Sequence, residues 1–433
     1  MSIAPWWYEA LWRIMLPLAL LRLWWRGRRE PGYRAHIGER LGRYGSSSVA
    51  PARPVIWIHA VSVGETRAAQ PLIEALGKRF PDHRILLTHM TAAGRETGQA
   101  LFGARVTQAW LPYDVSFALR RFFERFEPRF GVLMETELWP NLVLRAAARD
   151  IPLYLVNARL SQRSAERYAW LPGLTGATLK ALAGVSAQTE RDAQRLNDLG
   201  ARDVAVAGNI KFDVAIPPGN AERAHALRER FGPTRRVWIA GSTRDGEESL
   251  LLDAMARAQL PENALMLLVP RHPQRFDEVA AMLDRMGIAY VRRSSSLALE
   301  DRTTVVLGDS MGEMLAYYAA ADVAFVGGTL LPLGGQNMIE PLAVGTPVVI
   351  GPSTFNFAEI ARIATAAEAV VQARDADAVV ACIAELLDDE SRRLKMADAG
   401  NALIAAHRGA TERTAAWLQS RQALRADGKI SSG

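Results

Sequence analysis

The chain is poor in several things that would narrow its chemistry at once. Of 433 residues only Cys382 carries a thiol, which excludes an internal disulfide and fits a reducing compartment. Seven histidines are scattered along the chain, and no histidine/cysteine group has metal-ligand spacing, so no metal site is expected. There is no Walker lysine motif and no G-x-G-x-x-G fingerprint, which argues against an ATPase, a kinase or a dinucleotide-binding enzyme. A spanning helix needs about 20 apolar residues, but the longest uncharged run in the apolar N-terminus is Ile14 to Leu21. No small-residue cleavage site follows it, so a signal peptide is not expected. Short-period repeats and low-complexity tracts are missing too.

What is present reads as well-packed globular protein, with 49% hydrophobic and 23% charged residues. The length suits two domains of about 200 residues. The net charge of +6 resembles a nucleic-acid signal until its location is read. Residues 1–45 hold eight arginines against Glu9, Glu30 and Glu39, a net +5, leaving the remainder close to neutral. No nucleic-acid partner is therefore expected. The same segment carries Trp6, Trp7, Trp12, Trp24 and Trp25, five of the eleven tryptophans. Arginine and tryptophan bracketing a leucine-rich stretch is the composition of a membrane interface. A helix lying in the bilayer surface is the expectation, with Arg26, Arg28 and Arg29 meeting anionic headgroups. A spanning anchor with snorkelling arginines and a core helix of the first domain are the alternatives.

From Pro54 onward, short β-branched runs alternate with helical stretches, the pattern of parallel α/β units. Runs at Val55–Ala60, Ile85–Thr88, Phe130–Met134 and Leu153–Val156 each end in polar residues. In a parallel sheet those ends lie on one edge and converge on a cleft. Gly208 to Asn220, with Pro217-Pro218-Gly219, is the linker candidate, after which the alternation restarts. The expected division is a membrane-associating segment 1–45, a first Rossmann-like domain 46–210, a linker 211–220, a second Rossmann-like domain 221–405 and a terminal helix and tail 406–433. The stretch Asp322 to Phe357 reads as a βαβ unit whose glycine pairs, Gly327-Gly328 and Gly334-Gly335, stand where a strand ends and a ligand approaches. Asn337 and Glu340, three apart, share a helical face there, to meet ligand hydroxyls or to cap a surface helix.

Several residues carry candidate chemistry. Glu65 follows the first strand, after Ser62 and Gly64; a general base facing a cleft and a first-turn glutamate stabilising the helix dipole stand even. Glu135 and Glu137 frame a threonine at another strand end, where alternation sends both to one side. Lys211 in the linker would place a cation between the domains or be solvated. Gly241-Ser242-Thr243 and Gly308 to Gly312 read as glycine/hydroxyl turns before helices, suited to phosphate. Arg271 follows a strand end, where a guanidinium forks onto phosphate. A nucleotide-sugar site is the reading left standing.

The strings His59 to Glu65, Met134 to Asn141 (METELWPN), Asn157 to Ser161, Gly208 to Asp213 (GNIKFD), Val269 to Pro273, Gly308 to Glu313 and Gly334 to Glu340 together resemble the 3-deoxy-D-manno-octulosonic acid (Kdo) transferases. The resemblance covers nearly the whole chain. It implies an α/β protein of the GT-B fold, two Rossmann-like domains facing across a cleft, with the C-terminal helices crossing back. It implies an inverting glycosyltransferase that moves Kdo from CMP-Kdo to the lipid A precursor without a metal or other cofactor. It also implies a location on the cytoplasmic face of the inner membrane. By motif, Glu65 corresponds to the general base, Glu135 and Lys211 to positions that stabilise the transition state, and Pro270, Arg271, Met311, Gly312, Glu313, Asn337 and Glu340 to the CMP-contacting segments. Two departures stand out, His89 where threonine is common and Gln336 where histidine is common. A nucleotide-sugar epimerase of the same fold has little use for a membrane-binding N-terminus, and a non-catalytic membrane scaffold has none for the strand-end residues.

Overall fold

The computed structural model describes residues 4–28, 30–45 and 53–427. Arg29, the boundary at residue 46 and the tail from 428 lie outside the described residues. Among the described residues, the apolar runs form fourteen strands in two parallel sheets. The first sheet holds β1 (Val55–His59), β2 (Arg84–His89), β3 (Thr107–Trp110), β4 (Pro128–Met134), β5 (Leu153–Ala158), β6 (Gly184–Ala187) and β7 (Val204–Val206), ordered β3-β2-β1-β4-β5-β6-β7. The second holds β8 (Arg236–Thr243), β9 (Ala264–Pro270), β10 (Tyr290–Arg292), β11 (Val305–Leu307), β12 (Val323–Val326), β13 (Val348–Ile350) and β14 (Val370–Gln372), ordered β10-β11-β9-β8-β12-β13-β14. Each sheet is doubly wound, so the strand order reverses beside β1 and β4 in one and beside β8 and β12 in the other. Ligands of open α/β sheets bind at the carboxyl ends of strands at such reversals.

The burial follows from the pleat. Along β1 every residue is buried, because a parallel strand with helices on both faces has no wet side. Ile56 and Ile58 join a cluster with Leu72, Ile73 and Leu76, whereas Val55 and Trp57 join Phe122, Phe123 and Leu133 on the opposite face. Trp57 fits because Gly131 lies beside it on β4; a Cβ there would come within 2.6 Å of the indole.

The described residues divide into two compact units, one running to Asp213 and resuming at Arg408, the other Val214–His407. The last helix, Ala410–Ala426, packs on the first unit, where Ala415 and Leu418 join the Ile56/Leu72 cluster. Its N-terminus is held by Asp213, whose carboxylate accepts from the Gly409 and Thr411 amides, both at 2.6 Å. A negative side chain there offsets the unpaired amides and the helix dipole. That gives the final residue of GNIKFD a structural reason.

The N-terminal segment forms α1 (Trp6–Arg26), bent by no glycine and carrying Pro17. One side docks on the first unit through Trp12, Leu16, Ala19, Leu20 and Leu23, which pack with Tyr33, Trp110 and Tyr113. The other side leaves Leu11, Ile14, Leu18, Leu21 and Trp25 exposed, at 50, 68, 56, 60 and 67%. Those positions recur every three or four residues and so form one continuous stripe. Among the described residues no helix is long and apolar enough to cross a membrane.

Candidate active site

The first unit gathers its candidate residues at the reversal beside β1 and β4. Helix α2 (Val63–Arg79) starts two residues before Glu65, which therefore lies inside its first turn. Ser62 is the N-cap, its hydroxyl oxygen accepting from the Glu65 amide at 3.4 Å. Glu65 reciprocates: Oε2 accepts from the Val61 amide at 2.8 Å and Oε1 from the Ser62 hydroxyl at 3.0 Å. This arrangement resembles a capping box, so the helix-stabilising role is real. It does not exhaust Glu65. Burial, then repulsion from Glu135, pushes its carboxyl up to about 7; Glu137 adds to this, while the bonds from Val61 and Ser62 oppose it. A carboxyl held near 7 is suited to taking a proton near neutral pH.

Strand β4 stops at Met134, so alternation does not place the two following glutamates on one side as expected. Glu135 instead adopts a left-handed backbone, φ 60°, and its Oε1 lies 2.6 Å from Lys211 Nζ. Glu137 turns to Trp139, whose indole N–H donates to Oε2 at 2.8 Å; burial pushes Glu137 up, opposed by that bond. Lys211 sits in a short 3-10 turn, Ile210–Phe212, of the first unit. Asn209 Oδ1 accepts from its amide at 3.0 Å and Asn157 Oδ1 from the Ile210 amide at 3.1 Å. Both flanking asparagines thus aim the lysine by fixing its backbone. Neither was selected from sequence as a site residue, although each stands within a quoted motif.

His59 and His89, the last residues of the neighbouring strands β1 and β2, are buried. Burial, then the charge of His89, lowers His59 to about 3, and burial lowers His89 to about 4. His59 Nδ1 lies 2.9 Å from the Thr88 hydroxyl, and His89 Nδ1 lies 3.1 Å from the Ala60 carbonyl. Both are neutral, structural side chains.

In the second unit the candidates surround the reversal beside β8 and β12. The Gly241-Ser242-Thr243 turn is not a loop before a helix, as expected, but the end of β8, with Ser242 left-handed at φ 57°. Thr243 is fully buried, its hydroxyl donating to Glu248 Oε1 at 2.8 Å, so it has no free group for phosphate. Gly327 also has a packing reason, since a Cβ there would lie 2.4 Å from the Ser242 carbonyl oxygen. Gly327 therefore serves the crossing of two backbone segments first.

Two buried carboxylates missed in the sequence hold this edge. Glu247 accepts from the amides of Arg244, Gly328 and Leu330 at 2.9, 2.6 and 2.9 Å. Glu248 accepts from Thr243 and from Arg275 Nη1, the latter at 2.6 Å. The pair Glu247-Glu248 after Gly246 reads as an ordinary acidic first helical turn, so nothing local announces their burial.

Arg271 follows β9 and Pro270; its amide donates to the Thr243 carbonyl at 2.9 Å and its Nε to Gln336 Oε1 at 3.3 Å. Arg244, Arg271 and Arg275 surround His272 and, after burial, hold it below its usual range. Arg275 is paired with Asp245, Glu248 and Glu278, so Arg271 is the guanidinium at this strand-end edge suited to an anion. Asn337 and Glu340 do meet, Nδ2 to Oε1 at 3.1 Å, beside helix Ile339–Ala343. Met311 and Gly312 are exposed. Glu313 accepts from Arg293 and Tyr317, both at 3.0 Å, and from Ser310. Although burial raises it, these partners hold the Glu313 carboxyl below its usual range.

Residues 35–214 match the family model described as 3-deoxy-D-manno-octulosonic-acid transferase (kdotransferase), and residues 289–402 match that of glycosyl transferases group 1. A 3-deoxy-D-manno-octulosonic acid transferase of Bordetella pertussis is 47% identical over 419 residues, covering 94% of this chain and 97% of the relative. The enzyme of the same name from Haemophilus influenzae is 38% identical over 411 residues, covering 94% and 96%. Among solved structures, a glycosyltransferase of Rickettsia africae superposes with TM-score 0.56 at 11% identity, covering 86% of this chain and 99% of that one. A UDP-GlcNAc 2-epimerase of Neisseria meningitidis superposes with TM-score 0.58 at 14% identity, covering 85% and 100%. These last two share the fold, and the GT-B expectation of two Rossmann-like domains holds. Identity sustained along nearly the full length of both curated relatives goes further: the chain belongs to the 3-deoxy-D-manno-octulosonic acid transferase family and is a glycosyltransferase.

Proposed function

We propose that this glycosyltransferase moves Kdo from CMP-Kdo to the lipid A precursor, with Glu65 as general base, at the cytoplasmic face of the inner membrane. The observation that carries the reading is the state of Glu65, a half-buried carboxyl pushed up to about 7 beside the Glu135–Lys211 ion pair. In this reading Glu65 takes the proton from the acceptor hydroxyl as its oxygen attacks the anomeric carbon. The bond from that carbon to the CMP phosphate breaks, and the electron pair leaves on the phosphate. Lys211 and Glu135 form a fixed dipole next to the base, needing no rearrangement when charge develops. In the second unit Arg271 offsets the charge on departing CMP. Pro270, Met311, Gly312, Glu313, Asn337 and Glu340 line the proposed nucleotide cradle with it. The exposed apolar stripe of α1, flanked by arginines, supports a lipid-borne acceptor met at a membrane surface.

The test is Kdo transfer from CMP-Kdo to the lipid A precursor, with products resolved by mass, for the intact chain and Glu65→Ala. The intact chain is expected to transfer, and the variant to lose about 10²- to 10⁴-fold in rate while binding CMP normally. Transfer surviving in the variant would move the base elsewhere. No transfer by the intact chain would remove the substrate assignment.

A further inference from the structure

The docked side of α1 does more than hold a helix against a domain. Its N-terminal turns also meet two segments of the strand-end edge, residues 113–116 and 139–141. Tyr8 donates its hydroxyl to Asp114 Oδ2 at 2.8 Å. Asp114 is buried and accepts from the Asn141 and Leu142 amides at 3.0 and 2.8 Å. Those amides open helix Pro140–Ala147, whose own N-cap residue, Trp139, supplies no side-chain bond. Glu9 accepts from Asn141 Nδ2 at 3.0 Å and from the Ser116 hydroxyl at 2.5 Å. The Trp12 ring lies 5.8 Å from that of Trp139 and 6.1 Å from that of Tyr113. Trp139 in turn holds Glu137.

The turn 135–139 is held by the contacts of Glu135 with Lys211 and with the Val156 carbonyl and by two further anchors, one at each end. One is the buried end of β4 at Met134. The other is the Trp139–Asn141 knot, half of whose partners come from α1. We infer that Glu9 and Trp12 are positioning residues for transfer: from the N-terminal helix they hold the turn that carries Glu135 and Glu137 against the base. The apolar stripe on the opposite side of α1 is a separate surface with a separate task. The inference rests on the proposed role of Glu65.

The test uses the full-length protein with Glu9→Ala, Trp12→Ala and Trp12→Phe. Activity is measured on CMP-Kdo and the lipid A precursor dispersed in detergent, where attachment to a bilayer plays no part. Both alanine variants are expected to lose roughly 10- to 100-fold in kcat, the scale of a small misplacement at a reacting centre. KM for CMP-Kdo should change little, sedimentation with phosphatidylglycerol vesicles should persist, and Trp12→Phe should recover most of the loss. Independently of turnover, hydrogen–deuterium exchange should accelerate across 135–141 in Glu9→Ala while β1 and β4 stay protected. Should Trp12→Ala fail to fold, Tyr8→Phe removes one hydroxyl and is expected to show the same exchange change in milder form. Unchanged exchange across 135–141 together with unchanged kcat would overturn the inference and leave α1 as an attachment only. Accelerated exchange with no Kdo product from the intact chain would uphold the positioning and sink the substrate reading instead.

Discussion

At the scale of single residues, Glu65 shows how one side chain serves folding and chemistry together. Its bonds to Val61 and Ser62 close the first turn of α2, and the same bonds fix the carboxyl where Glu135 and Glu137 repel its charge. The sign of the pH dependence follows. The base works deprotonated, so kcat/KM should rise with pH along a limb centred near 7 and level off above it. Glu135→Gln removes a repelling charge, which favours the Glu65 carboxylate. The limb should therefore move to lower pH. Burial, the largest cause, stays, so the move is partial. A pH–rate profile of the variant checks this, and an unmoved limb would take Glu135 out of the base's surroundings. Glu65 was the residue where sequence reasoning stood even between cap and base, because spacing places a carboxylate on a first turn but carries no information about burial. Thr243 illustrates the converse: its hydroxyl reads as a phosphate ligand in sequence and is spent on Glu248 in the fold.

At the scale of elements, the strands were legible and their ends were not. Parallel strands covered on both faces must be continuous apolar runs, so β1, β4, β9 and β12 stand out in the sequence. Where a strand stops depends on residues that leave the pleat, such as Glu135 and Ser242, whose left-handed backbones no composition rule flags. Long-range caps are equally hidden. Asp213 caps a helix that begins almost two hundred residues later, and nothing near it predicts the partner. Asp213→Ala should cost about 1.5–3 kcal/mol for each charge-assisted bond lost, less whatever water restores. The expected readout is a lower melting temperature with faster exchange in helix Ala410–Ala426. A melting temperature equal to that of the unaltered protein would mean that the Leu418 packing alone holds the helix. The other element whose outer face has a predicted task is α1. Replacing Ile14 and Leu18 by aspartate should weaken vesicle binding, since each apolar side chain is worth about 1.5–3 kcal/mol when fully buried. Vesicle sedimentation at fixed salt measures it, and full binding by the doubly substituted protein would move the membrane contact off this stripe.

At the scale of the whole molecule, the two-sheet architecture and the family were legible because METELWPN and GNIKFD are long, specific strings on recurring strand ends. The helix Ala410–Ala426 adds something that no motif carries. The second unit is one uninterrupted stretch, Val214–His407, while the first is begun before it and completed after it. During synthesis at about 5–20 residues per second, the first sheet must therefore wait roughly 10–40 s for its last helix. Through that interval Leu72, Ile73 and Leu76 lack the cover of Ala415 and Leu418, while the second unit already has every residue it needs. A premature stop a few residues after His407 would thus spare the later-made unit and cripple the earlier one, so that translational errors near the end of the message would be read out at the beginning of the fold.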